Sequence, residues 1–272
     1  MFLIGGIDPA KPGYRGFLYN VMIASTILKR HGSQADIVLF LQMSPEAAAE
    51  SLPTKEEEEL QSMGIKYRYL EKPTHHGNGF TDIIMEKFRI LTLTEYKRVM
   101  FMDADIMPVT SLDHYMELSD GKDPLLQPNF IVATRAEPAK AGLFMMAPQE
   151  GDFEAITKII HDQREIGKTL PYPHFDKIVG WGHPFNEKTG DKWEGTTKSG
   201  IKWGFWCAHS DQGLLYHWTK YVQQSVTIYR GNEVQNWMPG NNNPVLKNTM
   251  DPLCCTNTIN NTPQLQPGPQ QG

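Results

Sequence analysis

The sequence predicts an α/β protein with a mixed, mostly parallel sheet flanked by helices. Short apolar runs alternate with amphipathic helical patterns through the first 150 residues, as in strand–helix–strand units with right-handed crossovers. Residues 35–42 are apolar almost throughout, which is typical of a strand covered on both faces. The 272 residues are 40% hydrophobic and 21% charged, with a net charge of -5. This composition excludes collagen-like, coiled-coil and fully disordered chains and disfavours a broad basic face for nucleic acid.

The first half of the chain contains four predicted strands separated by three predicted helices. The strands are predicted at residues 1–6, 35–42, 65–70 and 98–102. The helices are predicted at residues 17–28, 54–63 and 82–93. The helix at 54–63 carries the acidic run Glu56–Glu59, which we interpret as solvated surface charge.

The second half is less regular and defines the domain limits. Strands are predicted at 130–134 and 143–147, and helices at 153–164 and 209–223. Residues 167–206 are rich in Gly, Pro, Lys and Trp without clear periodicity, which favours a functional loop region. Residues 239–272 contain few large apolar side chains, so a disordered tail is predicted there. We therefore expect one domain over residues 1–238.

Two aspartates follow the apolar strand at 98–102. Asp103 and Asp105 flank Ala104, and continued strand alternation would place both carboxylates on the same side. Ligands of open α/β sheets bind at the carboxyl ends of strands. Carboxylate pairs there need a cation, and their hard oxygens suit Mg²⁺ or Mn²⁺ bridging to a diphosphate. A strand end capped by turn-forming aspartates is the structural alternative.

Haloacid-dehalogenase phosphatases also place an Asp-x-Asp motif after an apolar strand. Their pattern requires Thr or Val two residues after the second aspartate, where this chain has Met107. Their motif also lies close to the N-terminus. Both departures disfavour a phosphatase.

Residues 80–113 resemble the central block of glycosyltransferase family 8, the glycogenin-like enzymes of GT-A type fold. That block has Lys87 on a helix, an L-x-x-Y-x-x-V pattern at 93–99, D-A-D at 103–105 and Leu112-Asp113. The sequence SDQGLL at 210–215 is similar to the family's later G-D-Q-G-x-L, and Ala141-Gly142 stand where the family has N-S-G. The resemblance extends over roughly residues 1–225 and implies a GT-A type, Rossmann-like fold.

The resemblance implies a retaining transferase that moves a hexosyl, pentosyl or uronosyl unit from a UDP-sugar to a glycan or protein acceptor. Mn²⁺, with Mg²⁺ as the alternative, would be held by Asp103 and Asp105 on the diphosphate. Substitution is expected to proceed by front-side departure and attack, with a covalent intermediate on Asp211 as the alternative. The residues implied to bind the nucleotide sugar are Asp103, Ala104, Asp105, Ala141, Gly142 and Tyr14.

The implied catalytic residues are Asp211, Gln212 and Lys87. Asp211 and Gln212 would border the transferred sugar, with the Asp211 carboxylate stabilising positive charge at C1. Lys87 would face the donor. Each has a structural alternative: Asp211 as an acid favoured at a helix start, and Lys87 as a surface lysine. Tyr14 would stack on the base, or simply pack.

The chain departs from the family at its C-terminal H-x-G-x-x-K-P-W motif, which is absent. That motif supplies the usual third metal ligand, so we expect that the chain stops short, that His209 replaces the ligand, or that the metal site is weak. A catalytically impaired relative that binds nucleotide sugar or glycan is the main alternative function. A sugar-phosphate nucleotidyltransferase is the other, because residues 5–13 weakly resemble its phosphate loop.

The expected partners are a nucleotide sugar and a glycan or glycoprotein acceptor, without nucleic acid and without a membrane segment in this chain. A homodimer stays open. Residues 167–206, with four tryptophans, would shape the acceptor side or merely hold a long loop to the body. The sequence leaves localisation undecided.

Overall fold

The computed structural model describes residues 1–72, 85–118, 127–133, 139–167, 181 and 210–230. The strands in this part are β1 (Phe2–Ile7), β2 (Val38–Met43), β3 (Lys66–Leu70), β4 (Val99–Met102), β5 (Asn129–Ala133), β6 (Lys140–Met146) and β7 (Val226–Arg230). The α-helices are α1 (Arg15–Arg30), α2 (Thr54–Ser62), α3 (Asp113–Leu118), α4 (Asp152–Gly167) and α5 (Asp211–His217). Short 3₁₀ helices span Pro12–Tyr14 and Glu86–Thr92, and Trp218–Val222 is a π-helical turn.

The strands form two sheets that meet edge to edge. β1, β2 and β3 pair in parallel, in that order. The second sheet has the order β4-β6-β5-β7, in which β6 runs antiparallel to both neighbours. The Met1 amino group donates to the Met100 carbonyl at 2.6 Å, and the Met102 amide donates to the Met1 carbonyl at 3.0 Å. These bonds set β1 parallel to β4 and confirm the predicted α/β class with a mixed, mostly parallel sheet.

Apolar side chains cover both faces of this sheet. Every residue of β2 and β4 is buried, which agrees with their continuous apolar sequences. One face packs against α1 through Leu18, Val21 and Leu28. The other face contains Phe88, Phe144 and the start of α5. The two apolar layers fix the sheet in place, and the sheet in turn positions the loops that follow the carboxyl ends of its strands.

Several sequence predictions need correction. Glu56, taken as solvated, is buried, because it is hydrogen-bonded to the start of α1. Phe17, placed on the buried stripe of α1, is 48% exposed. The predicted helix at 82–93 is a 3₁₀ helix over Glu86–Thr92, with residues 82–84 outside the described part. The helix predicted at 209–223 begins at Asp211 and becomes π-helical at Trp218.

Two elements were missed by the sequence patterns. α3 and β7 contain six and five residues, and such short segments carry little periodic signal. The loop region at 167–206 lies outside the described residues except for Gly167 and Trp181, and the tail at 239–272 lies wholly outside them. The side chain of Trp181 is buried in the apolar layer with Phe88. The domain limits stay a prediction.

Candidate active site

A buried lysine lies where the two halves of the sheet meet. The Lys87 Nζ atom lies 2.8 Å from Asp211 Oδ2 and 3.0 Å from Asp103 Oδ1. It also donates to the Ala141 carbonyl at 3.3 Å. The Lys87 side chain is 8% exposed and that of Asp211 7%, whereas that of Asp103 is 29% exposed. The ammonium group therefore joins two carboxylates, of which Asp103 is the more exposed.

Each partner of Lys87 comes from a different element. Asp103 follows β4, Ala141 lies in β6, and Asp211 is the first residue of α5. The Asp103 amide donates to the Gly142 carbonyl at 2.9 Å, which extends the pairing of β4 with β6 by one residue. The hydrogen-bonded sheet therefore fixes the position of Asp103 relative to Ala141.

The cluster lies at a topological switch point. From β1 the chain proceeds to β2 and β3 on one side, while β4 lies on the other side of β1. Crevices that bind ligands in open α/β sheets form outside the carboxyl ends of the strands at such a point. The residues that follow β4 therefore lie at the expected crevice, alongside the first half of β1.

Asp103, Ala104 and Asp105 form a turn after β4. The Ile106 amide donates to the Asp103 carbonyl at 3.0 Å, so the alternation of strand side chains ends at Asp103 and does not place Asp105 on the same side. Ala104 is buried and Asp105 is exposed. The turn, and not the strand, therefore sets the direction of Asp105 relative to Asp103.

Burial and charge act in opposite directions on this cluster. Burial alone would lower the pKa of Lys87, but the carboxylates of Asp103 and Asp211 outweigh burial and raise it. Burial raises the pKa of Asp103, with Asp211 and Asp105 adding to the rise and Lys87 opposing it. These three carboxylates and one ammonium leave a formal charge of about -2 when all are ionised.

Asp211 is held through both of its oxygens. Its Oδ2 atom accepts from Lys87, while Oδ1 accepts from the Gln212 amide at 2.9 Å and from Ser210 Oγ at 3.2 Å. The neighbouring Gln212 side chain is different: its Oε1 atom is buried and has no hydrogen-bond partner among the described residues. A buried carbonyl without a donor is costly, so Gln212 is suited to receive a donor from a ligand.

The structure brings together Lys87, Asp103, Ala141 and Asp211. The predicted residues Ala104, Gly142 and Gln212 are their chain neighbours. Tyr14 makes none of the contacts of this cluster: it is buried, and its hydroxyl donates to Glu56 Oε2 at 2.7 Å. Its role in stacking on a base stays a prediction.

Two further residues complete the comparison with the sequence. His209 lies outside the described residues. Ser210, which the sequence analysis did not assign, bonds to the Asp211 carboxylate; its place just before a helix start was the only signal for it.

The described residues contain neither a ready-made metal-binding group nor a membrane-spanning helix. Within ranges 1–72, 85–118, 127–133, 139–167 and 210–230, no group of three or more His, Cys, Asp or Glu side chains is arranged to hold a metal ion. No helix in the described part of the chain is both long and apolar enough to cross a bilayer.

Comparison with known proteins gives weak structural similarities. No family model matches the sequence, and no curated protein matches it. Mouse xyloside xylosyltransferase 1 is similar with a TM-score of 0.42 and 11% identity over 84% of this chain and 83% of that one. The glycosyltransferase GlyE of Streptococcus pneumoniae TIGR4 has a TM-score of 0.38 and 18% identity over 64% of this chain and 41% of that one.

The bifunctional glycosyltransferase WbbM is similar at the same level, with a TM-score of 0.38 and 11% identity over 64% of this chain and 35% of that one. The chain therefore spans about two fifths or less of the lengths of GlyE and WbbM. With TM-scores this low, any assignment of function depends on the site geometry.

Proposed function

We propose that this protein is a glycosyltransferase of GT-A type that uses a nucleotide-sugar donor. The observation that carries the proposal is the Lys87 ammonium group bonded to Asp103 and Asp211 at the junction of β1 and β4. Asp103 and Asp105 form a carboxylate pair after β4, and such a pair suits a diphosphate bridged by a cation. The buried Asp211 provides negative charge within reach of the same crevice. The resemblance of residues 80–113 and 210–215 to glycosyltransferase family 8 supports the same reading.

The donor set fits a divalent cation. Asp103 and Asp105 supply hard oxygen ligands, and the excess of negative charge around Lys87 is about what one divalent ion offsets. Asp103 and Asp105 would hold Mn²⁺ or Mg²⁺. When bound, the ion would neutralise charge on the departing nucleoside diphosphate.

The contacts of Asp211 favour an electrostatic role for its carboxylate. Both Asp211 oxygens accept hydrogen bonds, which stabilise the carboxylate and make its oxygens weaker nucleophiles. The hydrogen bond from Lys87 fixes the orientation of the carboxylate. In the proposed reaction Asp211 stabilises positive charge at the sugar C1, and the acceptor hydroxyl attacks C1 from the side from which the nucleotide leaves. The bond between C1 and the phosphate oxygen breaks as the bond to the acceptor oxygen forms, and the leaving phosphate takes the hydroxyl proton. The product then retains the donor configuration.

Neighbouring residues provide the space and the polar contact that a sugar needs. Ala141 is buried beside Lys87, and its methyl side chain would leave room for a sugar ring. Gln212 Oε1 would accept a hydrogen bond from a sugar hydroxyl, which would satisfy its buried oxygen.

The decisive experiment is a calorimetric titration of UDP into the protein with Mn²⁺ and then with EDTA. We expect binding that requires the ion and that is lost in Asp103→Asn. Asp162→Asn is the matched control, because Asp162 pairs with Lys158 on the exposed face of α4. UDP-sugars are then screened for hydrolysis and transfer.

Each outcome has a defined meaning. Metal-dependent UDP binding with turnover supports the transferase. Binding without turnover of any UDP-sugar supports the impaired relative that only binds nucleotide sugar or glycan. Binding that persists unchanged in EDTA and in Asp103→Asn contradicts the proposed site.

A further inference from the structure

A second buried carboxylate lies outside the Lys87 cluster, on α2. Glu56 is 6% exposed. Its Oε2 atom accepts from the Tyr14 hydroxyl at 2.7 Å, and its Oε1 atom accepts from Arg15 Nε at 2.7 Å. The Arg15 guanidinium carbon also lies 5.9 Å from the centre of the Tyr14 ring. These three side chains form one unit, which joins α2 to the start of α1.

This unit anchors the segment that follows β1, residues 8–14. The Asp8 carbonyl accepts from the Lys11 amide at 2.8 Å, and its Oδ1 atom accepts from the Ala10 amide at 3.0 Å. Those bonds shape the segment internally but do not attach it to another element. Residues 10–13 are exposed. The attachment to the body of the fold comes at the end of the segment, through Tyr14 and Arg15.

The position of the segment gives the anchor a consequence for binding. β1 lies beside β4 with Met1 bonded to Met100 and Met102, so Asp103 comes level with the first half of β1. Residues 8–14 lie further along in the same direction, past the carboxyl end of β1. In the proposed function the diphosphate lies beside Asp103 and Asp105. A nucleoside diphosphate that lies there and extends along β1 would bring its nucleoside towards residues 8–14, where Lys11 is exposed.

We infer that Glu56 is a positioning residue for the nucleotide: it holds residues 8–14 in the arrangement that binds a nucleoside diphosphate. The inference rests on the proposed function. Glu56 itself is too deeply buried to contact the ligand, so it acts through Tyr14 and Arg15. When the bonds of Glu56 to Tyr14 and Arg15 are lost, the segment samples other arrangements. The affinity for the nucleotide is then multiplied by the fraction of molecules that remain competent to bind it.

α2 offers a matched control one residue away. Glu57 Oε1 accepts from the Tyr69 hydroxyl at 2.6 Å, and that hydroxyl also accepts from the Leu52 amide at 2.8 Å. Glu57 therefore makes the same kind of carboxylate–tyrosine bond from the same helix. Its partner is on β3 and not in the segment after β1. If either substitution acted by weakening α2 in general, both variants would bind UDP less tightly. If Glu56 acts by positioning residues 8–14, only its own substitution weakens UDP binding.

The test compares Glu56→Gln with Glu57→Gln in UDP titrations with Mn²⁺ and in urea unfolding. We expect Glu56→Gln to weaken UDP binding about tenfold, as expected when a hydrogen-bonded charge that selects the competent state is removed. Glu57→Gln should stay within about twofold of wild type, as for a change remote from the site. In turnover assays Glu56→Gln should raise the donor KM and leave kcat unchanged.

Tyr14→Phe provides a second variant in case Glu56→Gln folds poorly. It deletes one hydroxyl and keeps the ring, and it should weaken UDP binding in the same direction. If wild type binds UDP while Glu56→Gln and Tyr14→Phe bind it equally well, or if Glu57→Gln weakens binding as much, the positioning role is wrong and the proposed function stands. If wild type binds no UDP, the proposed function fails and this inference fails with it.

Discussion

Replacing Lys87 by methionine should destabilise the protein more than any other single loss of an ion pair in the described part of the chain. Methionine preserves the length of the side chain and its contact with the Phe101 ring, which lies 5.4 Å from Lys87 Nζ. The substitution removes the ammonium group but leaves two carboxylates, Asp103 and Asp211, close together. It thus isolates the effect of the charge from the effect of packing.

The magnitude follows from burial. Removing one partner of a buried ion pair costs about 3–5 kcal/mol, because the remaining charge is left without compensation. Asp211 is 7% exposed, whereas Asp103 is 29% exposed and retains some hydration. We therefore expect a loss of about 3 kcal/mol in the free energy of unfolding, at the lower end of that range. The double variant Lys87→Met/Asp211→Asn should recover about 1–2 kcal/mol, since it removes the more deeply buried charge.

Urea unfolding monitored by circular dichroism measures these free energies. The control is Lys158→Met, which removes an exposed pair with a Lys158–Asp162 distance of 2.6 Å and should cost less than about 1 kcal/mol. If Lys87→Met costs no more than this control, the buried network does not hold the site together. The same conclusion follows if the double variant is as unstable as the single one.

Three further predictions concern the carboxylates and Tyr14. Asp103→Asn or Asp105→Asn should abolish turnover and Mn²⁺-dependent UDP binding while thermal unfolding shows an intact fold; full activity in either variant removes that residue as a metal ligand. Acidification should weaken Mn²⁺-dependent UDP binding at a pH above 3.8, the usual pKa of an aspartate, because burial raises the pKa of Asp103 and a protonated carboxyl is a poor metal ligand. Calorimetry across a range of pH tests this prediction. Binding that is unchanged down to pH 3.8 contradicts it. Burial and then the bond to Glu56 raise the pKa of Tyr14 to about 12. Tyr14→Phe should therefore remove one tyrosine that ionises at high pH from an ultraviolet titration of the protein. If the lost tyrosine instead belongs to those that ionise at lower pH, the buried bond to Glu56 is absent.

The strands were predictable because their signal is local. β1, β2 and β4 each coincide within a few residues with an apolar run in the sequence, since burial of consecutive side chains needs no knowledge of the partner strand. β3 lies where a strand was predicted, although its sequence KYRYL is only partly buried. Glu56 shows the limit of this approach. Its acidic neighbours suggested a solvated helix face, and only contact with Tyr14 and Arg15, more than 40 residues away, explains its burial.

The sequence by itself determined the α/β class and the types of side chain at the site. These are two aspartates after a strand, a lysine on the helix before that strand and an aspartate at the start of a later helix. The tertiary structure alone decided that they meet. Lys87 is 16, 54 and 124 residues from Asp103, Ala141 and Asp211, so their contact depends on the order of the strands. The shifts of the Lys87 and Asp103 pKa values have the same origin, because loss of hydration and the approach of other charges arise only when distant segments pack together.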